Sequence, residues 1–116
     1  MATELPDAGY DDLRDHVQDS WSHIELQDDD DEQVTRIEID DDDRASWSED
    51  GDIRTVTVTV SGSDDDIDTP VTVESTHLFN TETGGDSLSN DSFSGATLEE
   101  DGDELTVEHE VQIPQQ

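Results

Sequence analysis

The sequence predicts a mainly β protein: an antiparallel β-sandwich or jelly-roll-like domain of about seven short strands, preceded by a short N-terminal helix. Only 28% of the residues are hydrophobic, but they alternate with polar residues, as in strands with one buried face. Turn-forming residues separate these alternating stretches at fairly regular intervals. We therefore divide the chain into an N-terminal arm with a short helix, residues 1–19, and a β-sandwich domain, residues 20–116.

The arm carries one helical pattern. Tyr10, Leu13 and Val17 recur at helical spacing within residues 8–19, and Asp7 is a candidate N-cap. The apolar stripe is narrow and the helix is short, so it cannot be stable alone. We expect it to dock on another surface.

Three strands are predicted in the first half of the sandwich. In the first, Ile24 and Leu26 share one face, and His23 and Glu25 lie on the other. An Asp-Gly turn suited to a positive φ follows the third strand. The three strands are residues 20–26, residues 32–39 and a shorter piece around Trp47.

The second half begins with the clearest strand, Arg54 to Val60, which should turn three valines inward and three threonines outward. Pro70 opens the next strand, Val71 to Phe79, at a position where a missing N–H is tolerated. Weaker strand character follows near Leu88 and between Phe93 and Leu98. The last strand runs from Leu105 to Ile113, and Pro114 ends it.

The charge indicates where the protein works. The chain has 35 acidic residues against four arginines and no lysine, for a net charge of -31. Runs such as Asp28 to Asp31 repel one another in dilute buffer but are screened in molar salt, where the Debye length is about 3 Å. We interpret the composition as adaptation to brine, in a protein of a halophile or of its virus. The rival interpretation is disorder, against which the periodic placement of the apolar residues argues.

The sequence offers little support for a metal or cofactor site. Without cysteine, neither a disulfide nor a thiolate site can form. The acidic runs lack the alternating pattern, central glycine and closing glutamate of an EF-hand loop. Gly84-Gly85-Asp86-Ser87-Leu88 matches half of a calcium-binding nonapeptide repeat, but such repeats bind calcium by stacking and this one occurs once. We predict no cofactor and no specific calcium, only diffuse K⁺, Na⁺ and Mg²⁺ around solvated carboxylates.

Catalytic motifs are also lacking. The histidines show no metal-ligand spacing, and His77 and His109 alternate with apolar neighbours, which indicates core or interface positions. There is no phosphate-binding glycine loop, serine elbow or cysteine nucleophile, and few apolar residues could line a cleft. The chain is therefore predicted not to be an enzyme.

An interaction module remains. The charge disfavours nucleic-acid binding, and no stretch reaches membrane-spanning length. The first residues lack a signal-peptide pattern, so we expect synthesis in the cytoplasm, and we interpret the glycosylation acceptor Asn90-Asp91-Ser92 as a coincidence. Apolar residues on the helix and the two tryptophans are candidate assembly anchors, or they simply close the small core. These residues are Tyr10, Leu13, Val17, Trp21 and Trp47.

Several motifs follow one another in the second half of the chain. They are Val56-Thr-Val-Thr-Val-Ser-Gly62, Thr69-Pro-Val-Thr-Val-Glu74, Leu78-Phe79-Asn80, Thr83-Gly84-Gly85, Ser92-Phe93 and Leu98-Glu-Glu-Asp-Gly-Asp-Glu-Leu-Thr-Val107. In this order they resemble small β-sandwich virion proteins of tailed bacteriophages and haloarchaeal tailed viruses, over about Val56 to Ile113. Upstream, Leu13-Arg14 and Ser22-His23-Ile24 are similar to the start of such proteins, but Asp28 to Asp31 replace their Gly-Thr-Gly-Thr loop.

The resemblance implies a non-enzymatic component of a tailed virus particle from a halophilic host, located in the virion and acting through symmetric assembly. Its partners would be copies of itself and neighbouring virion proteins, with no small-molecule substrate. A repeated capsid decoration or turret protein is the first choice, and a tail fibre, baseplate or connector-associated protein is the second. Two alternatives stay open: a cellular haloarchaeal module that binds proteins through a strand edge, and an acidic DNA mimic.

Overall fold

Seven strands form two antiparallel sheets behind one N-terminal helix, and the predicted fold class is thereby confirmed. The computed structural model describes residues 6–51 and 53–112. The elements are α1 (Asp7–Ser20), β1 (His23–Asp28), β2 (Gln33–Glu38), β3 (Ala45–Asp50), β4 (Ile53–Ser61), β5 (Val71–Phe79), β6 (Ser89–Leu98) and β7 (Glu104–Gln112). The predicted end of the last strand at Ile113 and Pro114 lies outside the described residues. No helix of the described part is long and apolar enough to cross a membrane.

The sheets stack around one shared core. The first sheet has the strand order β2-β1-β5-β6 and the second has the order β3-β4-β7, with every neighbouring pair antiparallel. β6 and β7, one from each sheet, contact each other on one side of the sandwich. Four strands are therefore sheet edges: β2 and β6 in the first sheet, β3 and β7 in the second.

β4 confirms the alternation expected of it. Val56, Val58 and Val60 are each at most 1% exposed, while the intervening threonines are only partly buried. Arg54 continues the inward row and is also buried. The register places Val56 opposite His109, so His109 points into the space between the sheets, as its position in the sequence suggested.

β1 departs from the prediction of one solvent-exposed face. Ile24 and Leu26 face the core, but His23 and Glu25 on the opposite face are also buried, at 8% and 4% exposure. The reason is strand order: β1 lies between β2 and β5, and side chains of both neighbours cover its outer face.

α1 begins one residue earlier than expected and without the predicted N-cap. Pro6 occupies the cap position with an extended backbone, and no side chain caps the helix. Asp7 is the first helical residue, where its carboxylate still interacts favourably with the positive end of the helix dipole. The expectation that Asp7 is the N-cap was therefore wrong.

Two loops are held by specific residues. Gly51 has a φ of 58° in the β3–β4 hairpin, a conformation that glycine adopts without strain. In the β4–β5 loop, Ile67 is 5% exposed and joins the core, while Gly62 donates its N–H to the carbonyl of Asp103 at 2.8 Å. The β4–β5 loop is thus packed against the sandwich.

Candidate assembly surface

The five predicted anchors do not share one environment. Val17 is a buried residue of α1, at 4% exposure. Tyr10 is half-buried, with the Arg14 guanidinium 6.0 Å from its ring centroid. Leu13 is 42% exposed. Trp21 and Trp47 are partly buried and pack against the core. Val17 and the tryptophans therefore help to close the core, and Leu13 is the most exposed of the five.

Trp47 sits on the free edge of the second sheet. It lies opposite Val56 in the register, so its side chain is on the face that looks toward the other sheet. Its Nε1 is buried and has no hydrogen-bond partner within the described chain. On either side of it, Ser46 and Ser48 are exposed on the opposite face of the same strand.

The helix is tied to one end of the sandwich. Among the described elements, no strand packs against α1 over an extended length. One link is Arg54, whose Nη2 lies 3.5 Å from Asp15 Oδ1, while its Nη1 donates to the Gly51 carbonyl at 3.3 Å. Arg54 thus joins the helix to the β3–β4 hairpin, a role that the alternation of β4 alone did not reveal.

Each of the four arginines makes an ion pair inside the chain. Arg14 pairs with Asp11 one helical turn away, and Arg54 pairs with Asp15. Both guanidinium-bearing side chains are only 8% exposed. Arg36 and Arg44 lie in larger clusters. Because these are the only lysine or arginine side chains of the chain, its exposed surface is dominated by carboxylates.

Arg36 forms a buried cluster on the outer face of the first sheet. Its Nη2 lies 2.9 Å from Glu25 Oε1, with side-chain exposures of 7% and 5%. Its Nη1 donates to the carbonyls of Thr81 and Gly84, and its guanidinium carbon lies 3.6 Å from the centroid of the Phe79 ring. This cluster explains how β1 can bury a carboxylate, and it fastens the loop that follows β5.

Arg44 holds three aspartates from two loops. It contacts the carboxylates of Asp42, Asp64 and Asp66 at 2.7 to 3.1 Å, and Thr35 donates a hydrogen bond to Asp66 at 2.6 Å. The bonds to Arg44 lower the pKa of Asp66 to about 2 and also lower the pKa of Asp42. The same bonds raise the pKa of Arg44. The cluster therefore ties the β4–β5 loop to the loop before β3.

His77 and His109 differ in their surroundings. His77 lies with Phe79 on the outer face of the first sheet, half-buried, and its Nε2 lies 2.9 Å from Ser75 Oγ. Both histidines were expected at core or interface positions. His109 lies in the core, whereas His77 lies outside the space between the two sheets. His109 contacts Thr76 and Ser89 through its two ring nitrogens at 2.7 and 2.8 Å. Burial lowers the pKa of both histidines.

The acidic loop after β1 brings carboxylates together. Asp28, Asp29 and Asp30 place one oxygen each within 4.8 Å of one another. Asp28 Oδ1 already accepts the backbone N–H groups of Asp30 and Glu32 at 2.9 Å. Its oxygen therefore stabilises the turn itself, a role that needs no cation.

No protein-family model, no curated protein and no solved structure matches this chain.

Proposed function

We propose that this chain is a non-enzymatic structural component of a tailed virus particle from a halophilic host. Its first place would be the capsid surface, as a repeated decoration or turret protein, and its second the tail, as a fibre, baseplate or connector-associated protein. The order of motifs in its second half supports the viral part of the proposal. The protein would act by assembling with copies of itself and with neighbouring virion proteins.

The observation that carries assembly is the incomplete closure of the sandwich. Both sheets end in strands that pair on one side only, among the described elements. Apolar side chains along the β6–β7 side stay partly exposed although they pack on the core: Phe93, Leu105, Val107 and Val111. A thin-cored domain of this kind gains stability when its edges and partly exposed apolar side chains are covered by neighbours.

The charge distribution supports a working environment of concentrated salt. The arginines are engaged in internal pairs, and the exterior carries most of the 35 acidic side chains. Two such surfaces approach each other only when their repulsion is screened. In molar salt the Debye length is about 3 Å, so most of this repulsion is screened. Assembly should therefore strengthen as the KCl concentration rises.

A test begins with purified particles of the virus that encodes the chain. Quantitative mass spectrometry should find it in many copies per particle, and immunogold labelling should place it on the capsid or on the tail. Its absence from particles would refute the proposal. In parallel, sedimentation of the recombinant chain in molar KCl should give a symmetric oligomer of its 12.9 kDa subunit.

The alternatives predict different results in the same measurements. A cellular binding module would stay monomeric at high protein concentration and be absent from particles. A DNA mimic would bind a basic nucleic-acid enzyme with an affinity that falls steeply as salt rises.

A further inference from the structure

We infer that two copies of this chain meet through the free edge of β3, which pairs antiparallel with β3 of the second copy around a two-fold axis at Trp47. The second sheet would then continue across the contact as a six-stranded sheet, β7-β4-β3 followed by the same three strands of the other copy in reverse order. This inference deepens the proposed function and rests on it, because it names where copies of the protein touch.

Irregular pairing makes two of the four edges poor candidates. An edge strand with a bulge bends and twists away from an incoming partner. The pairing of β2 with β1 shifts in register at Gln27: Leu26 pairs with Thr35, but Gln27 pairs with Gln33. β6 is more distorted, since Ser92 and Ala96 pair with Ser75 and Val73, which leaves three residues opposite one.

Charge makes the β7 edge unsuitable for pairing with itself. β7 is regular over nine residues, but Glu104, Glu108 and Glu110 all stand on its outer face. Antiparallel self-pairing centred on any residue from Thr106 to Glu110 places one of these glutamates directly opposite another. Like charges in directly opposed positions destabilise a sheet.

β3 is the remaining edge, and its geometry is favourable. It pairs with β4 through six consecutive residues without a shift in register. Among the described elements no other strand or helix packs along it. Its segment Ala45-Ser-Trp-Ser48 carries no charge, and the serines are exposed. The N–H of Ala45 already donates to the Asp42 carbonyl at 3.1 Å, so the backbone groups that this edge offers to a partner lie around Trp47, with uncharged neighbours on both sides.

Self-pairing of β3 is also complementary in its side chains. Centred on Trp47, it sets Trp47 against Trp47 of the second copy and Ser46 against Ser48. It sets Glu49 against Ala45, and Asp50 against Arg44, whose guanidinium already contacts Asp42, Asp64 and Asp66 of its own chain. Between residues 44 and 50 no two acidic residues stand directly opposite each other in this register, and cross-strand aromatic pairs stabilise a sheet. The matched tryptophans and the absence of directly opposed acids favour a second copy of the chain as the occupant.

The first experiment measures mass by sedimentation in molar KCl. The wild-type chain should show a species of twice 12.9 kDa or a multiple of it. In the variant S46E/S48E each new carboxylate faces another across the contact, so this association should be lost while the circular dichroism of the fold is kept. S92E/S94E adds the same charges to exposed serines of the β6 edge and should keep the dimer that forms through β3.

A second experiment tests the register itself and does not depend on the glutamate variants folding. The chain has no cysteine of its own, so any disulfide joins the introduced cysteines of two chains. Chains carrying Ser46→Cys mixed with chains carrying Ser48→Cys should form a disulfide-linked dimer on mild oxidation, several-fold more than either alone. Directly opposed Cβ atoms lie about 5 Å apart, whereas diagonal ones lie about 7 Å apart. The matched mixture of Ser92→Cys and Ser94→Cys chains should remain uncrosslinked.

The outcomes separate this inference from the proposed function. If the wild-type chain associates but S46E/S48E associates equally and the mixed cysteine chains do not crosslink, the β3 contact is refuted and assembly through another surface stands. If the wild-type chain is monomeric at every concentration in molar KCl, both the contact and self-assembly are refuted. Crosslinking of the mixed chains at the predicted pair supports the contact.

Discussion

His109 Nδ1 and Thr76 Oγ1 lie 2.7 Å apart in the interior, and this contact joins the two sheets. His109 belongs to β7 and is 1% exposed, while Thr76 belongs to β5 and is fully buried. The other ring nitrogen of His109 lies 2.8 Å from Ser89 Oγ on β6. Both polar ends of a buried imidazole are thus satisfied, as burial requires.

The first prediction concerns this contact. Thr76→Val keeps the shape of the side chain but leaves one nitrogen of a buried ring without a partner, so the free energy of unfolding should fall by about 1–3 kcal/mol. Urea denaturation in molar KCl, followed by tryptophan fluorescence, measures the change. Thr106→Val is the matched control, because Thr106 is exposed and its 2.9 Å contact with Thr59 is accessible to water. Equal losses in the two variants would contradict the structural role assigned to Thr76.

The second prediction concerns pH. Burial holds the pKa of folded His109 below the usual 6.5, so the unfolded chain takes up a proton at a higher pH than the folded chain. The stability is therefore complete above pH 6.5 and declines as the pH falls toward the pKa of the folded state. His77, whose pKa is also lowered by burial, adds to the decline in the same direction.

Urea denaturation at a series of pH values measures this decline. His109→Gln removes one of the titrating groups, and the slope below pH 6.5 should become shallower, by at most about 1.4 kcal/mol per pH unit. A wild-type slope in His109→Gln would show that His109 does not titrate differently on folding.

The third prediction concerns the buried ion pair of the first sheet. Glu25→Ala leaves the Arg36 guanidinium buried without its carboxylate, and such a change destabilises a protein by about 3–5 kcal/mol. Glu38→Ala on β2 is the control, since the Glu38 carboxylate is exposed and its Oε2 lies 3.9 Å from His23 Nε2; its effect should be much smaller. Unfolding midpoints in molar KCl compare the two. A small effect of Glu25→Ala would mean that water reaches Arg36.

The fourth prediction concerns the approach of two loops. A Cβ on Gly62 would lie 2.1 Å from the carbonyl oxygen of Glu100, which belongs to the backbone and cannot rotate away. Gly62→Ala should therefore destabilise the fold by about 1–3 kcal/mol. Gly102→Ala, where a Cβ meets nothing within 4 Å, should be neutral or slightly stabilising. Thermal melts of both variants in molar KCl distinguish them, and equal melting temperatures would refute the close contact.

The period of the apolar residues predicted most of the fold. Strict alternation placed β4 and β7 and the inward position of His109, because successive side chains of a strand point to opposite faces whatever the tertiary structure. The helix was expected at residues 8–19 and found at Asp7–Ser20. Of the proposed anchors, Val17 proved to be a core residue, since helical spacing shows which residues share a stripe and not what covers it.

The sequence by itself determined that the chain makes strands with one apolar face and a strongly acidic exterior, since both follow from local composition and period. Only the tertiary structure decided which strands lie in the middle of a sheet. That order buried Glu25 on the second face of β1, brought it to Arg36, and left β3 as a regular edge whose segment Ala45–Ser48 is uncharged. Strand order depends on contacts between residues far apart in the chain, and no local pattern of residue types specifies them.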